Sequence, residues 1–157
     1  MNDDLPIRLE RSGGIATLTM CRPATKNVVN PAWVEALRAH SDTLHADRDL
    51  RCVLLQAEGA MFCAGGDVKE MASHAGDLPG FISPLIDAAH EAVLRFATLP
   101  APVVGLLGGT AAGGGASLAL ACDALVAARS ARLVFAYAQL GTTPDCGLSH
   151  ALTERVG

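Results

Sequence analysis

Between Arg95 and Asp123 the chain carries no charged side chain. A run of that length either crosses a bilayer or lies buried inside a protein. The GxxxG spacing of Gly109 and Gly113 suits helix packing in lipid. Yet Pro100, Pro102 and six glycines (Gly105, Gly108, Gly109, Gly113, Gly114 and Gly115) interrupt the run, and a lone lipid-facing helix would tolerate them badly. The stretch therefore reads as a buried strand over Pro102–Leu107, a glycine turn over Gly108–Gly115 and a small-residue helix from Ala116 to Cys122. No membrane partner is expected.

The rest of the chain fits this strand, turn and helix pattern. Ile15–Met20 alternates weakly and is rich in strand formers, with Ile7–Leu9 as its hairpin partner across Gly13-Gly14. Cys21–Asn27 is a loop. Asn30-Pro31 then opens a helix, because Asn accepts from the free first-turn amides and Pro suits the first helical position. Trp33, Val34, Leu37 and Leu44 give that helix an apolar face to about Ala46. Cys52–Ala57 is a short continuous apolar run, the pattern of a strand covered on both faces. Glu58–Gly66 reads as a loop, Asp67 starts a helix through Met71, and Ser73–Gly80 reads as a mobile surface connection. Phe81–Ala97 is a helix with Phe81, Leu85, Ala88, Ala89, Ala92 and Phe96 on one face. Leu125–Ala128 and Leu133–Phe135 are further strands, and Asp145 is placed to cap a last short helix. Strands and helices interleave, so the class is α/β with a largely parallel sheet, in one domain spanning residues 1–157.

Composition limits the partners. The 157 residues are half apolar and carry a net charge of −4, without a Lys/Arg cluster, so no nucleic-acid partner is expected. Five cysteines without a CxxC pair, and five histidines not spaced to join them, call for no metal. Buried reduced thiols in a cytoplasmic protein are the expectation. Met1–Asp4 is acidic with no apolar run behind it, so no leader peptide is expected.

Two turns carry the candidate chemistry. Phe62-Cys63-Ala64-Gly65-Gly66-Asp67 and Gly113-Gly114-Gly115 each join a buried strand to a helix. Glycine there frees the backbone and removes the side chain that would block a ligand. Helix starts also present unpaired amides. Two such turns facing one point would offer a pair of N–H donors to an anionic oxygen; the alternative is that the glycines only let helix and sheet approach. Neither the phosphate-loop motif with its Gly-Lys-Ser/Thr nor a Gly-x-Ser-x-Gly elbow is present. Asp145 lies in Gly141-Thr142-Thr143-Pro144-Asp145-Cys146-Gly147, an otherwise apolar neighbourhood. A carboxylate held there would suit a general base, the alternative being a helix cap. Asp67 and Glu70 read as helix-start residues and Asp123 as a turn residue beside a strand.

Four segments, in order, resemble the enoyl-CoA hydratase/isomerase (crotonase) family. They are Arg22–Val28, Phe62–Met71, Pro102–Asp123 with its glycine triplet, and Leu140–Gly147. The resemblance implies an α/β, crotonase-like spiral of ββα units that lacks most of the usual C-terminal helical part. It implies an acyl-CoA partner, with the coenzyme A thioester as substrate and no other cofactor, and a homo-oligomer (a trimer or dimer of trimers). It implies that the Gly66 and Gly114 amides hold the thioester carbonyl, and that Lys26, Val28, Ala64, Asp67 and Val68 contact the CoA. Fixed donors aimed at a developing enolate oxygen contribute about 3–4 kcal/mol each to the transition state.

The departures from the family pattern concern the reaction. Where the hydratases carry two glutamates, this chain has Ser117 and Tyr137. Hydroxyls of such high pKa are poor bases at neutral pH. Asp145 falls where isomerase-like members carry an acidic base. The resemblance therefore implies a double-bond shift with Asp145 as base, with hydration, thioester hydrolysis or a non-catalytic CoA-binding module as the competing expectations. It also implies that family members run on for about a hundred residues past the equivalent of Gly157.

Overall fold

The computed structural model describes residues 5–157; the leader expectation rests on Met1–Asp4, outside the described residues. The strands are β1 (Ile7–Ser12), β2 (Ile15–Met20), β3 (Cys52–Ala57), β4 (Met61–Cys63), β5 (Val103–Leu107), β6 (Thr110–Ala112), β7 (Ala124–Ala127) and β8 (Leu133–Val134). The α-helices are α1 (Pro31–His45), α2 (Val68–Ser73), α3 (Leu78–Ala97), α4 (Gly114–Leu120) and α5 (Leu148–Val156).

Two sheets form, where the sequence led us to expect one. The larger has the order β1-β2-β3-β5-β7 and the smaller the order β4-β6-β8. Among the described residues only the β1–β2 hairpin is antiparallel, and the other strand pairings are parallel. The chain thus runs as a spiral in which β3, β5 and β7 each add to the large sheet and β4, β6 and β8 follow into the small one. Strands β4 and β6 sit inside the stretches expected to be a plain loop and a plain turn. At three residues each they are too short to show a period of their own, and pairing between distant segments creates them.

Side-chain oxygens fix the helix starts. The Asn30 side chain accepts from the Trp33 amide at 3.0 Å with Pro31 at the first helical position, and Asp67 accepts from the Lys69 and Glu70 amides. Asp123, beyond α4, accepts from the Val103 amide at 2.7 Å and ties the turn before β7 to β5. Asp77 caps α3, which begins at Leu78, so the expected surface connection over Ser73–Gly80 is largely helical. Helix α4 starts at Gly114 and ends at Leu120, two residues earlier than expected at each end.

The core lies between the helices and the large sheet. Trp33, Leu37 and Leu44 of α1 and Ala92, Val93 and Phe96 of α3 meet Leu18, Met20, Val53 and Leu55 from the strands. Each buried Leu, Val or Phe contributes about 1.5–3 kcal/mol relative to exposure. The thiols divide: Cys63 and Cys122 are buried, but Cys21, Cys52 and Cys146 are only partly covered, against the expectation that all would be buried. Burial pushes the Cys63 and Cys122 thiols up to about 12. Among the described residues no three His, Cys, Asp or Glu side chains converge to hold a metal ion, and no helix is long and apolar enough to cross a membrane.

Candidate active site

The first loop of the site is built on Asn27. Its backbone is left-handed (φ 52°), a conformation Asn tolerates better than most residues. Its side chain is buried and fully used: the amide nitrogen donates to the carbonyls of Glu58 and Met61 at 3.0 and 3.1 Å, and the side-chain oxygen accepts from the Arg22 amide at 2.8 Å. This clamp holds Lys26 and Val28 beside the first glycine turn. The Ala64 amide donates to the Lys26 carbonyl, the Val29 amide to the Gly65 carbonyl, and the Asp67 amide to the Val29 carbonyl, at 2.8–3.0 Å. Lys26, Val28, Ala64, Asp67 and Val68 are thereby gathered along one laced pair of segments, with Lys26 and Val68 exposed and the others partly so. Asn27→Ala is expected to strand two carbonyls and to cost about 2–4 kcal/mol, read as a lower urea midpoint at unchanged slope.

The two glycine turns lie side by side. Gly65 has φ 87°, and a Cβ there would stand 2.8 Å from the Ala112 carbonyl oxygen and 3.3 Å from the Gly114 amide nitrogen. Gly115 packs as closely on β4: its Cβ would fall 2.5 Å from the Cys63 carbonyl oxygen. The structural reason for the glycines is therefore real, and it coexists with a chemical one. The Gly114 amide is at the first position of α4, where no intrahelical acceptor exists. Gly66 pairs with Val29 through its neighbours' groups, leaving its own amide out of that bridge. Among the described residues, no carbonyl or side chain accepts from either amide.

Asp145 completes the cluster. Its Oδ1 stands 3.9 Å from the position a Cβ on Gly114 would take. The expected helix cap is not its role: Gly147 holds the N-cap position of α5, without a side-chain cap. Nor does an apolar pocket surround it. Residues 141–144 are exposed, Asp145 is half-buried, and its Oδ1 accepts a 2.6 Å hydrogen bond from the Tyr137 hydroxyl. Behind it, Tyr137 Oη and the buried Ser117 Oγ are 2.7 Å apart. A phenol has one proton. With that proton given to Asp145, Ser117 must be the donor to Tyr137, and the chain runs one way: Ser117 to Tyr137 to Asp145. Burial, reinforced by the facing carboxylate, raises the Tyr137 phenol above its ordinary value of 10.0. The phenol stays protonated across neutral pH, donating to Asp145 while its oxygen accepts from Ser117. The next residue, Cys146, has φ 47°, and burial together with the Asp145 charge pushes its thiol up to about 12.

Sequence reasoning named Ser117, Tyr137 and Asp145 separately and missed that they form one hydrogen-bonded line. Tyr137 is the single tyrosine of the chain, and nothing in its local sequence marks it as buried. A second omission is Met71, whose Cε would lie 2.5 Å from a Cβ on Gly66, so this residue of α2 covers the first turn.

This two-sheet α/β spiral is the crotonase fold. A solved enoyl-CoA hydratase from Polaromonas superposes with a TM-score of 0.88 at 32% identity, over 96% of this chain and 59% of that one. One from Bacillus anthracis gives a TM-score of 0.89 at 27% identity, over 97% and 58%. Residues 10–157 match the enoyl-CoA hydratase/isomerase family, and the chain belongs to that family. It is 38% identical to the 1,2-epoxyphenylacetyl-CoA isomerase of Escherichia coli over 92% of this chain and 55% of that protein. It is 35% identical to a probable enoyl-CoA hydratase of Rhodobacter capsulatus, over 96% and 57%. The chain thus spans little more than half the length of these relatives.

Proposed function

We propose that this chain forms the acyl-CoA-binding core of an enzyme that shifts a double bond, converting a 3-enoyl-CoA to the 2-enoyl-CoA. The observation that carries the reading is Asp145: a carboxylate beside the Gly114 turn, at a site where Ser117 and Tyr137 supply hydroxyls. Lys26, Val28, Ala64, Asp67 and Val68 contact the CoA, and the Gly66 and Gly114 amides receive the thioester oxygen.

The chemistry balances with one base. Asp145 takes a proton from C2; the electron pair of that C–H bond moves into the C1–C2 bond, and the thioester oxygen takes the negative charge against the two amides. The charge then returns through the conjugated system. C4 recovers the proton from Asp145, and the double bond lies between C2 and C3. Hydration would need a water held by a second basic group, and the Tyr137 phenol keeps its proton. The names of two relatives, the isomerase of Escherichia coli and a trans-2-decenoyl-[acyl-carrier-protein] isomerase of Streptococcus mutans, agree with a rearrangement.

Hydration is the second reading, favoured by relatives named hydratases in Rhodobacter capsulatus and Mus musculus. Mass spectrometry separates the two. The purified protein given a 3-enoyl-CoA is expected to yield a product of unchanged mass with the conjugated 2-enoyl absorbance. A product heavier by one water from 2-enoyl-CoA, formed at a comparable rate, would overturn the isomerase reading. Binding of acyl-CoA with no turnover of either would leave a CoA-binding module.

A further inference from the structure

We propose that Tyr137 is a positioning residue for Asp145: its hydroxyl, backed by Ser117 Oγ, holds Oδ1 and leaves Oδ2 as the oxygen that meets the substrate proton. The inference deepens the reading of Asp145 as the base and rests on it. It comes from three features of the geometry. First, Tyr137 spends its only proton on Oδ1, at 2.6 Å, which is the length of a strong hydrogen bond to a charged oxygen. Second, the other hydrogen bonds of the segment that carries Asp145 end on main-chain carbonyls (the Thr142 amide and hydroxyl on Tyr137, the Leu148 amide on Asp145 itself) and leave its carboxylate to the Tyr137 hydroxyl. Leu140–Pro144 is exposed, and Tyr137 and Leu148 are the buried residues at its two ends. Third, the hydroxyl line ends on Ser117 of α4, the helix whose first residue is Gly114. One line of hydrogen bonds thus ties the carboxylate to the helix that begins at the glycine turn.

A carboxylate has two oxygens, and a base that rotates about Cβ–Cγ offers the proton either one at a varying distance. Fixing Oδ1 removes that freedom, the contribution that a rigid support makes to a reacting group. The groups facing Asp145 are few. The Tyr137 phenol meets it, the Cys146 thiol lies beside it, and α4 has no ionisable side chain. On α5, His150 pairs with Glu154 on the exposed side, and Arg155 donates to the carbonyls of Leu120 and Cys122.

The test compares wild type with Tyr137→Phe, which keeps the ring and removes only the hydroxyl, and with Ser117→Ala as the milder variant. With aspartate labelled by carbon-13 at the carboxyl, and the Asp145 resonance assigned by its loss in Asp145→Asn, the Asp145 carboxyl resonance at neutral pH is expected to move in Tyr137→Phe, because the hydrogen bond to Oδ1 is gone. Ser117→Ala is expected to move it by less. For 3-enoyl-CoA turnover, kcat is expected to fall about 10–100-fold with KM within about threefold. A carboxyl resonance unmoved in Tyr137→Phe, or a kcat within about threefold of wild type, would overturn the proposal. Absence of isomerisation in wild type would overturn the functional reading instead, and the carboxyl resonance would still decide whether Tyr137 holds Asp145.

Discussion

Asp145→Asn is expected to lower 3-enoyl-CoA isomerisation by about 10²–10⁴-fold, with acyl-CoA affinity nearly unchanged. The substitution is almost isosteric. The asparagine side-chain oxygen can still accept from Tyr137, so the loop keeps its tether and the fold its stability. What is lost is the lone pair that removes the C2 proton, because an amide oxygen is far too weak a base. Calorimetric titration with a non-reactive acyl-CoA should give a similar affinity in both proteins. Incubation in deuterated water should show wild type exchanging the C2 proton and the variant not. A tenfold loss in kcat is about 1.4 kcal/mol of barrier, so the expected loss amounts to about 3–5 kcal/mol. Turnover within a few-fold of wild type would remove Asp145 from the base role and leave the isomerase reading without its support.

Gly115→Ala is expected to be strongly destabilising although it adds a single methyl group. The new Cβ would stand 2.5 Å from the Cys63 carbonyl oxygen, 2.6 Å from its Cβ and 2.8 Å from its Sγ. Real Cβ contacts do not reach such distances. The Cys63 backbone cannot yield easily, because β4 is paired to β6 and Gly115 sits in the first turn of α4. Overpacking of this kind costs about 1–3 kcal/mol, occasionally more; with rigid backbone on one side we expect about 3 kcal/mol, and a Tm drop on the order of 10 °C. Gly108→Ala is the internal control. It lies in the same glycine-rich stretch, yet a Cβ there meets nothing within 4 Å, and its effect should stay within about 0.5 kcal/mol. Equal losses in the two variants would mean that backbone flexibility, and not close packing, sets the requirement for glycine.

The sequence by itself determined much of this protein. The β1–β2 hairpin, α1 with its Asn30 cap, the Asp67 start of α2, and the strands β3 and β5 follow from signals within a few residues of one another. The same holds for the glycine turns, since a glycine run between an apolar strand and a helix states its own conformational need. What tertiary structure decided is what depends on partners far along the chain. Strands β4 and β6 have three residues each and exist because they pair, so the single sheet expected from periodicity became two. Asp145 carried equally the look of a base and of a helix cap, and only the fold, by placing Gly147 at the start of α5 and Tyr137 and Ser117 behind the carboxylate, removed the cap reading. The physical reason is range. Capping and periodicity act over a turn or a strand, whereas the Ser117–Tyr137–Asp145 line joins groups eight and twenty residues apart, and no local rule sets where such groups meet.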